Sequence, residues 1–413
     1  MVHVNLVIKK LWPIYLAYLI SQFGNWAFRA GFVYALYDQQ NGSNTVLGWT
    51  IVLVYVPILL GGRLLSPLAD RFNSRKLLIG IDMSRIVLLA PLLFWSDFNN
   101  SIDVIIGLAA ITLLSLFTPV FASAQSVYIR RTVDKEHITA ALAVVSNIDW
   151  FSTLVGTICG PILLMYFDFQ KITILDLITF VVSIIIFILL LNNEKAEIGS
   201  SNSEKIADES SVFEKKSLFL PIASIFFLNL GAGVINLYPN IIARNIYGVG
   251  EIGLSYIYLA NGLGGLLGAI LIQRLRKKFQ LINIVFTASI LIGFSLIGMS
   301  LLSNFVVSII CSSLMLLFGQ LFGVGIHSYL LTNNSVEHAG RITGLFMYAT
   351  FSGVALNAIL FATMISDANL GIMYGFLIFC AIVAFVSTIL LLNYLYKLKK
   401  ESKVTSEIQE QSL

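Results

Sequence analysis

Twelve apolar stretches, each about long enough to cross a lipid bilayer, run through this chain of 413 residues. A hydrocarbon core roughly 30 Å thick is crossed by about 20 helical residues. In lipid only a helix or a closed barrel satisfies every backbone polar group, and we interpret these continuously apolar stretches as helices. Because 57% of the residues are hydrophobic and only 12% are charged, a water-soluble fold would expose too much apolar surface. The sequence therefore predicts an all-α membrane protein.

The predicted spans form two groups of six, separated by a polar segment. The first group covers residues 11–37, 46–67, 77–95, 104–126, 140–166 and 172–192. The second covers residues 217–240, 252–272, 281–301, 305–331, 342–364 and 372–396. The segment between them is rich in Ser, Glu and Lys, which is typical of a flexible linker. We therefore expect a six-helix bundle over 1–192, a cytoplasmic linker over 193–216, a second bundle over 217–396 and a cytoplasmic tail over 397–413.

Lysine and arginine residues are distributed very unequally between the two sides of these spans. Of the 26, 21 lie on the side of the termini, Lys171 and Arg244 lie on the other side, and Arg29, Arg63 and Arg85 lie within spans. Positively charged short loops remain in the cytoplasm, so both termini are predicted to be cytoplasmic. The net charge of +4 is modest and implies no nucleic-acid partner.

The two halves of the chain carry faint sequence echoes of each other. The loop after the second span reads LADRFNSRK, and the loop after the eighth reads LIQRLRKK. Glu136 and His137 before the fifth span are echoed by Glu337 and His338 before the eleventh. These echoes favour two equivalent six-helix bundles, an arrangement suited to a carrier with a site between its halves near the bilayer midplane.

The segment LLSPLADRFNSRKLLIGIDMSR gives this layout a family resemblance. The chain resembles a major facilitator superfamily transporter over essentially its whole length, and within that superfamily it is similar to bacterial drug:proton antiporters of the macrolide-efflux type. The resemblance implies twelve transmembrane helices in two pseudo-symmetric six-helix bundles. It also implies a multi-pass protein of the bacterial cytoplasmic membrane that can work as a monomer.

The superfamily's cytoplasmic signature GxxxDRxGRR is represented between the second and third spans. Its positions are occupied here by Ser66, Asp70, Arg71, Arg75 and Lys76. Acidic and basic groups at a helix junction can bridge neighbouring cytoplasmic helix ends, so we expect Asp70, Arg71 and Arg75 to act in gating. The alternative is a solvated cluster that only fixes orientation. Ser66 replaces the signature's glycine, which puts the tight loop geometry in doubt.

In the fifth span the sequence GTICGP supplies Gly156, Gly160 and Pro161, which resemble the exporter signature GxxxGP. Small residues four apart let two helices approach closely, and a proline bends its helix. We expect this segment to serve as a packed hinge in gating. The alternative is ordinary close packing, which any tight helix bundle uses.

Asp149 is the buried charge that points most directly to a mechanism. It lies near the middle of the fifth span, beside Asn147 and Trp150. A charge at this depth costs about 3 kcal/mol and is usually functional, so a carboxyl group here can carry a coupling proton. The alternative is a permanent structural ion pair. We expect Asp82 and Arg85, one turn apart, to pair with each other, and Asp176 to anchor its helix.

Polar side chains along the first span predict part of a substrate site. Gln22, Asn25 and Arg29 share one helix face bordered by Trp26, and such a stripe normally faces a wet cavity. Arg29 could attract an anionic substrate or balance Asp149. Further candidate lining residues are Asn147 and Trp150 in the fifth span, and Asn229, Asn236, Asn261, Tyr348 and Asn357 in the second half.

These observations predict a proton-coupled exporter of amphiphilic small molecules, working in the lipid bilayer by alternating access and needing no cofactor or metal. One alternative is an exporter dedicated to one product, such as a siderophore or peptide antibiotic, whose carboxylate binds Arg29. Another is a membrane scaffold or receptor that transports nothing. An enzyme is disfavoured because no nucleotide-binding loop, metal-ligand set or nucleophile constellation is found in the soluble segments.

Overall fold

The computed structural model describes residues 2–39, 53–94, 101–191, 216–236, 238–242, 247–301, 304–334, 338–364 and 370–411. The first six long helices are α1 Val2–Gln39, α2 Leu53–Arg71, α3 Ser74–Leu89, α4 Ser101–Thr132, α5 Ile138–Tyr166 and α6 Phe169–Leu190. The next six are α7 Lys216–Ala232, α8 Gly250–Leu275, α9 Leu281–Ser300, α10 Phe305–Thr332, α11 Ala339–Met364 and α12 Leu370–Gln411. Ten of the described helices are long and apolar enough to cross a membrane; α1, with 38 residues, and α3, with 16, are the two long helices outside this group.

The helices follow the predicted spans, but several extend further than their apolar residues. The first helix begins at Val2 rather than near residue 11, and α12 continues to Gln411 through the predicted tail. The extension of α12 is rich in Lys, Glu and Gln, which are good helix formers in water, so the helix does not end where its apolar run ends. The predicted linker lies outside the described residues except for Lys216, where α7 begins.

Packing within each half follows the same plan. In the first half α1 packs against α5 and α6, and α3 packs against α4 and α6. In the second half α7 packs against α11 and α12, and α9 packs against α10 and α12. Each pair in the first half corresponds to the pair six helices later. The prediction of two pseudo-symmetric six-helix bundles is confirmed, and we call α1–α6 the first lobe and α7–α12 the second lobe.

The contacts between the lobes obey the same correspondence. The pairing of α5 with α8 has its equivalent in the pairing of α11 with α2, and the pairing of α4 with α11 has its equivalent in that of α10 with α5. In each case, replacing every helix by its equivalent in the other lobe gives the second pair. This correspondence is expected for two parallel repeats related by an axis along the membrane normal. Two equivalent seams therefore join the lobes, one between α5 and helices α8 and α10, the other between α11 and helices α2 and α4.

One end of the bundle carries most of the described positive charge. The loops that follow α2, α4, α8 and α10 all lie at this end, which we call the basic face. These loops contain or border Lys76, Arg131, Lys135, Lys277 and Arg341. The other end of the bundle is called the opposite face.

Candidate functional site

Asp149 lies near the middle of α5 and is bonded to side chains of α1. The hydroxyl of Tyr18 donates a hydrogen bond to Asp149 Oδ1 at 3.4 Å, and Trp26 is a second side-chain donor to the same carboxylate. The carboxylate remains half-buried rather than sealed from solvent. Tyr18 was not among the predicted site residues. It stands four residues before Gln22, so extending the polar stripe by one helical turn would have found it.

The predicted polar stripe of α1 forms one connected chain of hydrogen bonds. Asn25 Nδ2 donates to Gln22 Oε1 at 3.3 Å, and Arg29 Nε donates to Asn25 Oδ1 at 3.0 Å. The guanidinium also reaches across to α4, where Arg29 Nη2 donates to Ser115 Oγ at 3.4 Å and Thr118 Oγ1 at 3.5 Å. These two hydroxyls were missed because a single Ser or Thr in a long apolar helix gives no pattern.

Arg29 and Asp149 both interact with Trp26 but form no salt bridge with each other. The Arg29 Cζ lies 6.0 Å from the centre of the Trp26 ring, within cation–π range. Within the described part of the chain, no carboxylate lies within 4.0 Å of the Arg29 guanidinium, although Asp149 interacts with it electrostatically over a longer distance. The guanidinium is therefore held by neutral oxygens and keeps its capacity to bind an anion.

The segment of α5 around Asp149 also forms part of the seam between the lobes. The hydroxyl of Ser146 donates to Gln320 Oε1 on α10, and the Trp150 ring packs directly on Gly265 of α8. Asn147 Oδ1 is buried and has no hydrogen-bond partner among the described residues. A relative movement of the lobes would therefore change the surroundings of the residues that flank Asp149.

Two of the predicted residues in α7 and its continuation are engaged by their own backbone. Asn229 Nδ2 donates to the carbonyl of Ile225 at 2.8 Å, and Asn236 Nδ2 donates to the carbonyl of Gly233 at 3.1 Å. Asn229 is half-buried, whereas Asn236 is exposed. The structure does not bring either side chain into the hydrogen-bonded group formed by α1, α4 and α5.

Asn261 and Asn357 join helices within the second lobe. Asn261 Oδ1 accepts a hydrogen bond from Ser312 Oγ at 2.9 Å, which links α8 to α10. Asn357 Nδ2 donates to the carbonyl of Leu230 at 2.7 Å, which links α11 to α7. Both side chains are buried in contacts within the second lobe and lie outside the hydrogen-bonded group of α1, α4 and α5.

Asp70 forms a contact between the lobes at the basic face. Its Oδ1 accepts from the backbone N–H of Gly340 at 2.7 Å, and its Oδ2 accepts from the backbone N–H of Arg341 at 2.9 Å. These N–H groups belong to the first turn of α11, which has no intrahelical acceptors for them and favours negative charge. The carboxylate at the end of α2 therefore caps a helix of the other lobe.

The basic residues of the same loop do not share this role. Arg75 donates to the carbonyl of Ile188 near the end of α6, so it joins two helices of the first lobe. Cationic groups are favourable at such a helix end. Arg71 is exposed at the end of α2. The predicted gating cluster thus separates into a contact between lobes at Asp70 and a contact within a lobe at Arg75.

Ser66 occupies the position of the signature glycine, and the facing helix has a glycine, Gly344, opposite it. Ser66 is buried, and its hydroxyl lies 3.3 Å from the carbonyl of Pro119 as a hydrogen-bond donor. A side chain at Gly344 of α11 would collide with Ser66, so α2 and α11 approach closely at this point. One helical turn away, Tyr348 of α11 packs over Gly62, which places Tyr348 in the seam between the lobes.

A second set of contacts joins the lobes at the basic face. Arg276, just after α8, donates to the backbone carbonyls of Lys135 and Glu136, which precede α5. Partial burial lowers the pKa of the Arg276 guanidinium, and the Glu136 carboxylate opposes that shift. Arg130 Nε donates to the carbonyl of Leu331 near the end of α10 at 3.0 Å. The end of α8 therefore meets the start of α5, as the end of α2 meets the start of α11.

Gly156 and Gly160 allow α5 to lie directly against α1. A Cβ atom at Gly156 would come within 2.6 Å of Trp26 Cβ, and one at Gly160 would come within 2.9 Å of the Gly31 nitrogen. Close approach is what two glycines four residues apart permit. The helix continues through position 161, but the surroundings of the Pro161 side chain lie outside the described part of the chain.

Three further charged residues of the first lobe, Asp82, Arg85 and Asp176, are deeply buried. Arg85 and Asp82 form the expected ion pair at 3.1 Å, and Ser183 Oγ donates to the other carboxylate oxygen of Asp82 at 2.7 Å. Asp176 is also fully buried. In the described helices of the second lobe, Asp, Glu, Lys and Arg occur only near helix ends or beyond residue 396 of α12. Within the described chain, the buried Asp and Arg side chains of the membrane-spanning segments therefore belong to the first lobe, whereas the second lobe contributes the buried His327 of α10.

Comparisons with known proteins agree with this architecture. The family model of the Major Facilitator Superfamily matches residues 14–358. A bacterial homologue of the iron transporter ferroportin, in an outward-facing crystal structure, superposes with a TM-score of 0.75 at 14% identity, covering 92% of this chain and 98% of that one. The human organic anion transporter MFSD10 (TETRAN) superposes with a TM-score of 0.74 at 10% identity, covering 93% and 99%. No curated protein matches the chain significantly.

Proposed function

Because the chain belongs to the major facilitator superfamily, we propose that it is a proton-coupled exporter of amphiphilic small molecules that works by alternating access. Membership of this superfamily indicates a secondary transporter rather than an enzyme. The observation that carries the finer proposal is Asp149, a half-buried carboxylate that is bonded to Tyr18 and Trp26 of α1 and lies in the segment of α5 whose residues Ser146 and Trp150 contact the second lobe. The similarity of the α2–α3 segment and of GTICGP to bacterial drug:proton antiporters supports export.

Exchange of a proton for a substrate requires that the two compete. A substrate that donates a hydrogen bond or presents a positive group to Asp149 occupies the ionised carboxylate, and protonation removes that acceptor. One proton that moves down about 100 mV supplies about 2.3 kcal/mol, which supports a roughly 50-fold substrate gradient. One carboxylate is therefore sufficient for useful accumulation. Gln22, Asn25 and Trp26 would line the substrate site beside it.

Alternation requires contacts that form in one state and break in the other. We assign the basic face to the cytoplasm on the distribution of Lys and Arg, with both termini on that side of a bacterial cytoplasmic membrane. The contacts of Asp70 with α11 and of Arg276 with the residues before α5 then hold the cytoplasmic side closed. This conformation corresponds to an outward-facing state, with Gly156 and Gly160 forming the closely packed α1–α5 contact about which α5 moves.

The proposed coupling is tested in proteoliposomes. With an imposed pH gradient, a panel of fluorescent amphiphiles is screened for accumulation by the wild-type protein and by Asp149→Asn. We expect the variant to lose gradient-driven accumulation, because Asn keeps the size of the side chain but has neither the exchangeable proton nor the ionised carboxylate. Asp168→Asn is the matched control, since Asp168 is an exposed carboxylate between α5 and α6. Unchanged accumulation by Asp149→Asn would remove Asp149 from the mechanism.

A second candidate is an exporter dedicated to one anionic product. It is favoured by Arg29, a half-buried guanidinium that has three hydrogen bonds to neutral side chains and a ring contact with Trp26, but no carboxylate within 4.0 Å in the described chain. A substrate carboxylate could bind there bidentately. This candidate predicts that Arg29→Gln abolishes transport of carboxylate-bearing compounds and spares neutral or cationic ones.

The two candidates differ in the sign of the pH effect on substrate binding. A proton on Asp149 opposes binding of a substrate that uses this carboxylate. The same proton favours binding of an anion at Arg29, because it removes a nearby negative charge. Measuring the Kd of each screened compound between pH 6 and pH 8 separates them: acid weakens binding in the first case and strengthens it in the second.

A further inference from the structure

Asp176 is a carboxyl group of the first lobe that the proposed exchange does not use. It lies on α6, is fully buried, and faces Gly24 of α1, where a Cβ atom would come within 2.7 Å of Asp176 Oδ1. Its Oδ2 atom has no hydrogen-bond partner among the described residues. A buried carboxylate oxygen without a donor is costly if it is ionised.

The hydrogen bonds of Thr179 show how the group can be satisfied. Thr179 Oγ1 lies 2.7 Å from the backbone carbonyl of Asp176 and 3.2 Å from Asp176 Oδ1. A hydroxyl has only one hydrogen, and the shorter distance assigns it to the carbonyl. The contact at 3.2 Å is then complete only if Asp176 is the donor, which requires a proton on its carboxyl group.

The balance of charges within the first lobe also favours a protonated Asp176. The charged groups that interact with Asp176 are Arg85 and Asp82 on α3 and Arg29 on α1. Asp82 and Arg85 neutralise each other at 3.1 Å. Arg29 then faces two acids, Asp149 and Asp176, so one of them must be neutral if the interior is to carry no net charge. Asp149 has two side-chain donors and is half-buried, which favours its ionised form over that of Asp176.

We propose that Asp176 is a second proton-binding site of the first lobe and that it holds its proton in this conformation. The same helix serves both acids: α1 supplies Tyr18 and Trp26 to Asp149, and Gly24 covers Asp176. A movement of α1 therefore changes the surroundings of both carboxyl groups at once. The proposal concerns proton occupancy and does not depend on the proposed direction or substrate of transport.

Infrared spectroscopy of the purified full-length protein in detergent tests this occupancy without any substrate. At neutral pH we expect a carbonyl stretching band of a protonated carboxyl group that shifts on exchange into D2O. The band should persist in Asp168→Asn, which alters only an exposed carboxylate, and disappear in Asp176→Asn. Its absence from the wild-type protein, or its persistence in Asp176→Asn, would overturn the proposal.

A second variant keeps the test decisive if Asp176→Asn does not fold. Thr179→Val retains the carboxyl group but removes the acceptor of its proton, so the band should remain and move to higher frequency. Ser183→Ala is the matched control, because Ser183 is a buried hydroxyl of the same helix that bonds Asp82 instead. A band that Thr179→Val leaves unshifted would contradict the assignment to Asp176.

Discussion

At the scale of single residues, Asp82 and Arg85 illustrate how charge is kept inside the first lobe. They pair at 3.1 Å, and the guanidinium also lies over the rings of Phe121 at 4.9 Å and Phe180 at 5.4 Å. Removing one partner of a buried pair leaves an uncompensated charge, which typically costs about 3–5 kcal/mol. Removing both charges avoids that cost, so the two substitutions are not expected to add.

We therefore expect Asp82→Asn alone to lower the thermal unfolding midpoint more than the double variant Asp82→Asn/Arg85→Met. The midpoint is measured on the purified protein in detergent. Asp168→Asn is the control, because its partner Lys171 lies at 3.7 Å on the surface and exposed pairs contribute little. A double variant less stable than Asp82→Asn would show that the ring contacts of Arg85 outweigh its charge.

The sequence was informative about residues that recur on one helix face and uninformative about isolated ones. The spacing of Gln22, Asn25 and Arg29 predicted a shared face, and the structure joins them by hydrogen bonds. Ser115, which binds Arg29 from another helix, could not be found in this way because its role depends on the α1–α4 contact. Asn357 is a polar residue in an apolar helix and was therefore predicted to line a cavity. In the structure its side chain donates instead to the backbone carbonyl of Leu230.

At the scale of helices, the short distance between α1 and α5 depends on glycine residues at their contact. A Cβ atom at Gly160 would lie 2.9 Å from the Gly31 nitrogen and 3.1 Å from Ala30 Cβ. We expect Gly160→Val to destabilise the protein by about 1–3 kcal/mol, as overpacking of a tight contact usually does. Because Asp149 is on α5 and its donors are on α1, transport should fall as well.

Gly80 provides the matched control for this substitution. It is an exposed glycine of α3, and a Cβ atom there would meet nothing within 4 Å. Gly80→Ala should leave transport unchanged and stabilise the helix by up to about 1 kcal/mol. Equal thermal unfolding midpoints for Gly160→Val and the wild type would show that the α1–α5 contact can widen freely.

The existence and order of the helices could be predicted because apolar length is set by the bilayer, whereas their ends could not. Hydropathy does not register a helix that continues into water, as α12 does to Gln411. Nor does it reveal that Asp70 caps a helix some 270 positions later, since that contact arises only when the lobes assemble. Hydrogen bonds between the lobes depend on the tertiary structure, so the sequence pattern alone could not predict them.

At the scale of the whole molecule, the two lobes share an architecture but not a chemistry. Their helix pairs correspond one to one. The buried carboxylates and guanidiniums of the described spans are nevertheless in the first lobe, whereas the described interior of the second lobe offers amides, hydroxyls, aromatic rings and the imidazole of His327. Electrostatic coupling is thus expected to originate in the first lobe. The second lobe then contributes to alternation by moving as a body against it.

Rigid-body movement predicts how the two contacts at the basic face combine. Asp70 and Arg276 join the lobes at opposite seams, and each contact is lost when this face opens. Asp70→Asn and Arg276→Ala should each raise the ratio of open to closed protein by about tenfold, equivalent to about 1.4 kcal/mol. If the lobes separate as units, the free energies add and the double variant should reach about 100-fold.

Spin labels at Lys76 and Lys278, exposed residues of the two lobes at this face, report the opening by electron–electron distance measurements. Asp134→Asn and Arg274→Ala are matched controls, since each removes an exposed charge at the same face without removing a contact between lobes. The two seams can influence each other only if each lobe moves as a rigid body. Additive free energies of opening in the double variant would therefore show that the lobes are rigid. A double variant no more open than the stronger single variant would mean that the seams open one at a time.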